Sequence, residues 1–146
     1  MLLPVTLTIA AAAAVIALWL ALRISRIRYT DKVTMGDEGQ PLLTARMRAH
    51  ANFAENAPFV LILMALVELA GGSPAVLWII GVLFVLARIV HPLGMERPTP
   101  NPLRAGGALV TWVVLGVLAG WALSLAYAGG ESHVGRVIGV AIPPAA

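Results

Sequence analysis

Four long apolar runs, separated by short polar segments, set the pattern of the chain. They cover about residues 2–22, 46–69, 74–91 and 103–128. Each run is close to the roughly 20 residues that a helix needs to cross the hydrocarbon core of a bilayer. Glycine and proline residues concentrate between the runs, where they favour turns. The pattern predicts a single all-α integral membrane domain over residues 1–146, built as a four-transmembrane-helix bundle.

Composition supports a membrane location and excludes several kinds of site. Hydrophobic residues make up 60% of the chain and charged residues 12%, whereas soluble domains are roughly 25% charged. The chain has no cysteine, so it can form no disulfide, thiolate metal site or cysteine nucleophile. The sequence pI of about 10.2 comes from basic residues that flank apolar runs. We therefore expect contact with the lipid bilayer, but no nucleic-acid partner.

The basic residues also predict the orientation. They concentrate in the first and third loops and at the adjoining helix ends, and the second loop has none. The positive-inside rule then places these two loops in the cytoplasm and both termini outside, in the periplasm if the membrane is a cell inner membrane. The residues that set this orientation are Arg23, Arg26, Arg28, Lys32, Arg46, Arg48, Arg88, Arg97 and Arg104.

The second run opens with polar residues that are costly in a membrane. In "RMRAHANFAENAPFVLILMAL", Arg48, Asn52 and Glu55 are spaced i, i+4 and i+7, so they share one stripe of a helix. A charge near the bilayer centre costs about 2.5–3.5 kcal/mol on insertion scales, and such residues usually face the bundle interior. The spacing therefore predicts either a binding site or a structural ion pair that joins helices.

Further polar residues converge on the same end of the bundle. Arg88 and His91 share a face at the end of the third run, and Arg104 opens the fourth. Four-helix connectivity brings them to the leaflet in which Arg48 lies. The arginines outnumber Glu55, so the cluster suits an anionic ligand that carries carboxylates. His50 fits the site and the membrane interface equally well.

Two segments resemble a known family. "RAHANFAENAP" is similar to the second-helix motif of the MAPEG family (membrane-associated proteins in eicosanoid and glutathione metabolism), and "ARIVHPLGM" resembles the end of that family's third helix. Arg104 follows at the spacing of the arginine that opens the family's fourth helix. The likeness covers nearly the whole chain and identifies it as a bacterial-type member.

The resemblance implies a homotrimer and a site for glutathione, or a similar small anionic thiol, in a cytoplasm-facing cleft between subunits. A lipophilic second substrate would enter from the bilayer, and the reaction would need no metal. Arg104 corresponds to the arginine that stabilises the thiolate, which makes it the candidate catalytic residue. The residues that the resemblance assigns to glutathione binding are Arg48, His50, Asn52, Glu55, Arg88 and His91.

Three functions follow from these expectations. The first is a glutathione S-transferase or peroxidase that acts on lipophilic electrophiles. The second is a non-catalytic binding or assembly subunit with the same fold. It is favoured by Ala51 and Met95, which stand where glutathione-binding members often carry an arginine and a tyrosine. The third is a proton-driven exporter that uses Glu55. We rank it last because Glu55 lies only about two turns inside the predicted cytoplasmic end and has basic neighbours.

Overall fold

Four helices form the fold in the computed structural model. The structure describes residues 2–140 and the side chains up to Tyr127, so Met1 and residues 141–146 of the predicted domain lie outside it. The described chain is helical and contains no strand. Each helix has a segment long and apolar enough to cross a membrane, which confirms the predicted all-α membrane fold. The helices are α1 (Pro4–Asp31), α2 (Pro41–Leu69), α3 (Pro74–Met95) and α4 (Pro102–Val140).

The first two helices extend further on the predicted cytoplasmic side than the apolar runs suggested. α1 continues from the predicted end near residue 22 to Asp31, and α2 begins at Pro41 rather than at 46. Apolarity indicates where a helix lies in hydrocarbon, whereas its hydrogen bonds can continue into the polar region. α1 ends where Lys32 adopts the left-handed conformation, with φ of 56°. Pro41 occupies the first turn of α2, where its missing N–H is no loss.

α3 also runs further than expected, through Pro92 to Met95. The apolar run ends at His91, and the proline-rich segment that follows it favours a rigid loop. A proline inside a helix removes one hydrogen bond, but neighbouring helices can satisfy the freed group in a membrane bundle. The extension keeps His91 and Met95 on one helix face, one turn apart. The connection to α4 is therefore limited to residues 96–101.

The helices pack through a continuous apolar core. α1 contacts α2 and α3, and α4 contacts α3 and α2. Lipid tails are as apolar as leucine, so close packing rather than escape from water holds such helices together. The largest buried side chains of this core include Phe84, Met64, Leu77 and Leu118.

Two glycines bring α3 and α4 into close contact. A Cβ atom on Gly107 would lie 2.7 Å from the Cβ of His91 and 2.9 Å from the carbonyl oxygen of Ala87. A Cβ atom on Gly94 would lie 2.8 Å from the Cα of Arg104. These distances are too short for a larger residue. The glycines therefore fix the position of the beginning of α4, and of Arg104, against the end of α3.

A carboxylate fixes the opposite end of the bundle. The side chain of Glu68, near the end of α2, accepts hydrogen bonds from the backbone N–H of Val5 at 3.0 Å and of Thr6 at 2.8 Å. The first N–H groups of a helix have no partner within the helix, and the helix dipole favours a negative charge there. Glu68 therefore caps α1 and joins it to α2.

We predict that Gly107→Ala destabilises the protein, because the added methyl group would collide with the backbone of α3. Overpacking of this kind costs about 1–3 kcal/mol. Gly106→Ala is the matched control, since a Cβ atom at Gly106 has no neighbour within 4 Å. Thermal unfolding in detergent should show a lower melting temperature for Gly107→Ala only. Equal melting temperatures for the two variants would contradict the close contact.

Candidate functional site

A cavity of about 550 Å³ lies between α2, the end of α3, the α3–α4 loop and the beginning of α4. Its volume lies in the range of small-molecule sites. Five of the predicted site residues line it: Arg48, Asn52, Glu55, His91 and Arg104. The remaining wall is formed by Ala51, Met95, Thr99, Pro100, Asn101, Ala105, Ala108 and Trp112.

The α2 wall carries the polar stripe that the helical spacing predicted. Arg48, Asn52 and Glu55 all line the cavity, with Ala51 between them. Arg48 and Glu55 are exposed in the single chain, whereas Asn52 is half-buried. The charged ends of this wall are therefore accessible to a ligand, and the amide between them is held within the bundle.

His91 and Arg104 form the opposite wall. Nδ1 of His91 lies 3.0 Å from the backbone carbonyl oxygen of Arg104. A carbonyl oxygen only accepts hydrogen bonds, so Nδ1 carries the proton in this contact. In the neutral ring, Nε2 is then left as an acceptor. The contact also ties the ring to the first turn of α4, so His91 is held against the helix that carries the Arg104 side chain.

Arg88 does not line the cavity of the single chain, although the resemblance assigns it to glutathione binding. Its side chain is only 1% exposed. Nη1 donates to Oδ1 of Asn52 at 2.9 Å, and Nη2 donates to the carbonyl oxygen of Gly107 at 3.2 Å. Arg88 therefore lies behind the cavity wall and joins α3 to α2 and α4. Helical spacing placed it on the face of His91, but could not show that the long side chain turns into the bundle.

His50 also lies apart from the cavity in the single chain, whereas the resemblance implies that it lines or supports the glutathione site. It borders a separate groove of about 410 Å³ between α1 and α2. The reason is helical geometry: His50 is two residues from both Arg48 and Asn52. Two residues turn a helix by about 200°, so His50 points to the other side of α2.

The loop that borders the cavity is held by an ion-pair cluster. Glu96, directly after α3, pairs with Arg23 of α1 and accepts a hydrogen bond from Nε of Arg46 of α2 at 2.7 Å. Arg46 also donates to the carbonyl oxygen of Arg23 at 2.9 Å. The cluster ties three parts of the fold together where Thr99 and Asn101 reach the cavity.

Sequence reasoning missed several residues of the wall. Trp112 lies eight residues after Arg104, close to two helical turns, so the same spacing argument could have placed it beside the site. Asn101 accepts a hydrogen bond from the backbone N–H of Leu103 at 3.0 Å and so caps α4. The Asn-Pro pair before an apolar run was a readable sign of that cap. Thr99 had no comparable signal.

The cavity has an excess of positive charge. Within residues 2–127, both ion pairs involve Glu96, so Arg48 and Arg104 have no carboxylate partner in this part of the chain. Glu55 is the acidic residue of the cavity wall. The described residues contain no group of three His, Cys, Asp or Glu side chains placed to hold a metal ion. The wall can therefore offer two guanidinium groups, one carboxylate and several neutral donors.

Fold and cavity together define a small integral membrane protein with a cationic site at one end of its helical bundle. Among known protein families, residues 6–124 match the MAPEG family. This match covers most of the chain and all the cavity residues. The protein therefore belongs to the MAPEG family.

The individual proteins that resemble this chain share only a moderate part of its sequence. The chain is 28% identical to the inner membrane protein YecN of Escherichia coli (strain K12) over 92 residues, which are 63% of this chain and 70% of YecN. YecN of Escherichia coli O6:H1 matches to the same extent. The name of these relatives gives a location and no activity.

We predict that Glu96→Gln lowers the stability of the protein, because Arg23 and Arg46 would lose their common anion. The three side chains are partly exposed, so the loss should lie between the values for surface and buried pairs, about 1–3 kcal/mol. Glu38→Gln is the control, since Glu38 lies exposed in the α1–α2 loop. Unfolding in detergent should separate the two variants. An unchanged melting temperature for Glu96→Gln would show that the cluster does not hold the loop.

Proposed function

We propose that the protein is a membrane-embedded, glutathione-dependent transferase or peroxidase that acts on lipophilic electrophiles. The observation that carries the proposal is that Arg48, Asn52, Glu55 and Arg104 all line the same cavity. Membership of the MAPEG family supports a glutathione-related role in the membrane.

The chemistry of the wall fits glutathione. At neutral pH this tripeptide carries two carboxylates, one ammonium group and a thiol. Arg48 and Arg104 suit the carboxylates or the thiolate, since guanidinium groups bind such anions through paired hydrogen bonds. Glu55 suits the ammonium group. The cavity continues along α4 past Ala105 and Ala108 to Trp112, and this apolar end suits the lipophilic second substrate.

The exposed charges favour an assembly of several subunits. Arg48, Glu55 and Arg104 are exposed in the single chain although they belong to membrane-length helices. Charged side chains in such helices rarely face lipid. A neighbouring subunit that covers the open side of the cavity would remove this conflict, in agreement with the homotrimer that the resemblance implied. In such a trimer, His50 could approach a ligand only across a subunit boundary.

We place the protein in the cell inner membrane, since YecN is described as an inner membrane protein. The distribution of basic residues supports an orientation in which the cavity faces the cytoplasm and both termini lie in the periplasm. This orientation gives the site access to the cytoplasmic pool of glutathione and to lipophilic compounds in the bilayer.

The proposed role of Arg104 is to stabilise the thiolate. A thiol is mostly protonated at neutral pH, and an adjacent cation lowers its pKa. The thiolate sulfur then attacks an electrophilic carbon of the second substrate, a C–S bond forms, and the leaving group departs with its electron pair. The protein contributes the position of the two reactants and the positive charge beside the sulfur.

We predict that the purified protein binds glutathione saturably in calorimetry, and that Arg104→Ala and Glu55→Ala each weaken this binding. Arg97→Ala is the control, because Arg97 is an exposed loop residue that does not line the cavity.

With a lipophilic electrophile such as 1-chloro-2,4-dinitrobenzene, Arg104→Ala should lower kcat by about a hundredfold. This is the effect of removing one donor that stabilises developing negative charge.

Two wall residues favour the second candidate function, a non-catalytic binding or assembly subunit. Ala51 and Met95 both line the cavity, so the differences from glutathione-binding relatives fall at the site itself. A well-folded oligomer that binds no glutathione at cytoplasmic concentrations would contradict the enzyme proposal and favour this candidate. Binding without turnover on a panel of electrophiles and peroxides would favour it as well.

A further inference from the structure

Arg88 is an unusual residue for the interior of a membrane bundle. It is 1% exposed, and its Nε has no hydrogen-bond partner among the described residues. The ion pairs within residues 2–127 do not include it. Burying an arginine without a carboxylate partner costs desolvation free energy. The hydrogen bonds that Arg88 does make are therefore expected to matter for the structure or the site.

The contact with Asn52 fixes the orientation of an amide. Nη1 of Arg88 lies 2.9 Å from the side-chain oxygen of Asn52. A guanidinium group has donors only, so the amide must present its oxygen to Arg88. The NH₂ group of the same amide is then the polar group left for the cavity that Asn52 lines. An NH₂ group can only donate hydrogen bonds.

We propose that Arg88 is a positioning residue that holds the Asn52 amide with its NH₂ group towards the cavity, so that this subsite takes an acceptor oxygen of the ligand. The buried positive charge also polarises the amide and strengthens its NH₂ donor. Without Arg88 the amide could turn over, and the subsite would accept donors and acceptors alike. The inference rests on the proposed function only for the identity of the ligand, glutathione.

Nη2 of Arg88 makes the arrangement rigid. It donates to the carbonyl oxygen of Gly107, which also accepts a hydrogen bond from the Thr111 hydroxyl at 2.9 Å. The guanidinium group is therefore held by α4 while it orients a side chain of α2. The orientation of Asn52 thus depends on the packing of all three helices and not on a flexible surface contact.

Asn52→Asp tests the orientation, because the two side chains have nearly the same shape. The new carboxylate would pair with Arg88, so the melting temperature should stay the same or rise. The cavity would lose a donor and face acceptors instead, so glutathione affinity should fall by about tenfold or more. Gln40→Glu is the control, because it makes the same change from amide to carboxylate directly before α2. Gln40 lies outside the cavity wall and its side chain makes no capping hydrogen bond, so the affinity should stay within about twofold.

A second comparison needs no ligand. Asn52→Asp should lower the melting temperature strongly when Arg88 is replaced by the neutral Met, or by the neutral Gln if the Met variant does not fold, and not when Arg88 is present. Equal effects with and without Arg88 would overturn the positioning role. Wild-type glutathione affinity in Asn52→Asp would overturn the subsite. If the unmodified protein binds no glutathione, the proposed function fails, but this stability comparison still decides whether Arg88 orients the side chain at position 52.

Discussion

The structure of the site depends on one buried guanidinium group. Arg88 extends from α3, donates to a side chain of α2 and to the backbone of α4, and is shielded from lipid and cavity alike. In a membrane there is little hydrophobic force between helices, so specific polar contacts and close packing decide how they meet. The glycine contact at Gly107 brings α4 near enough for the second of these hydrogen bonds. The position of the cavity wall follows from this junction.

The polar residues at the predicted cytoplasmic end divide into two groups with different contacts. Arg23, Arg46 and Glu96 satisfy one another and hold the α3–α4 loop. Arg48, Glu55 and Arg104 line the cavity and form no ion pair within residues 2–127. The first group explains how a short loop keeps a fixed position. The second group has no ion-pair partner within residues 2–127, so its charges are available to the proposed ligand or to a neighbouring subunit of the proposed trimer.

The sequence predicted the four helices from the length of the apolar runs, and it predicted the polar stripe of the cavity from helical spacing. A membrane span needs a minimum length of apolar residues, and Arg48, Asn52 and Glu55 recur at helical spacing. His50 belongs to the same sequence motif but lies apart from this stripe, because the helix rotates by about 200° over two residues. The end of α1, the start of α2 and the end of α3 extend beyond the apolar runs. Apolar residues show which part of a helix lies in the bilayer, but they do not show where its backbone hydrogen bonds end. The partners of Glu96 were beyond prediction, since the cluster joins three distant segments.

Arg88 shows why the sequence could locate the candidate site but could not tell which side chains line the cavity and which lie behind its wall. Topology brings Arg88, His91 and Arg104 to one end of the bundle, and nothing in their spacing tells which side chain reaches a ligand. That choice depends on the path of a long side chain among its neighbours. Arg88 donates hydrogen bonds to two acceptors inside the bundle. Arg104 lies exposed at the start of α4, and its backbone carbonyl oxygen accepts a hydrogen bond from His91. Two arginines that the sequence assigned to one site therefore lie at different depths: Arg88 is buried behind the wall, and Arg104 lines the cavity.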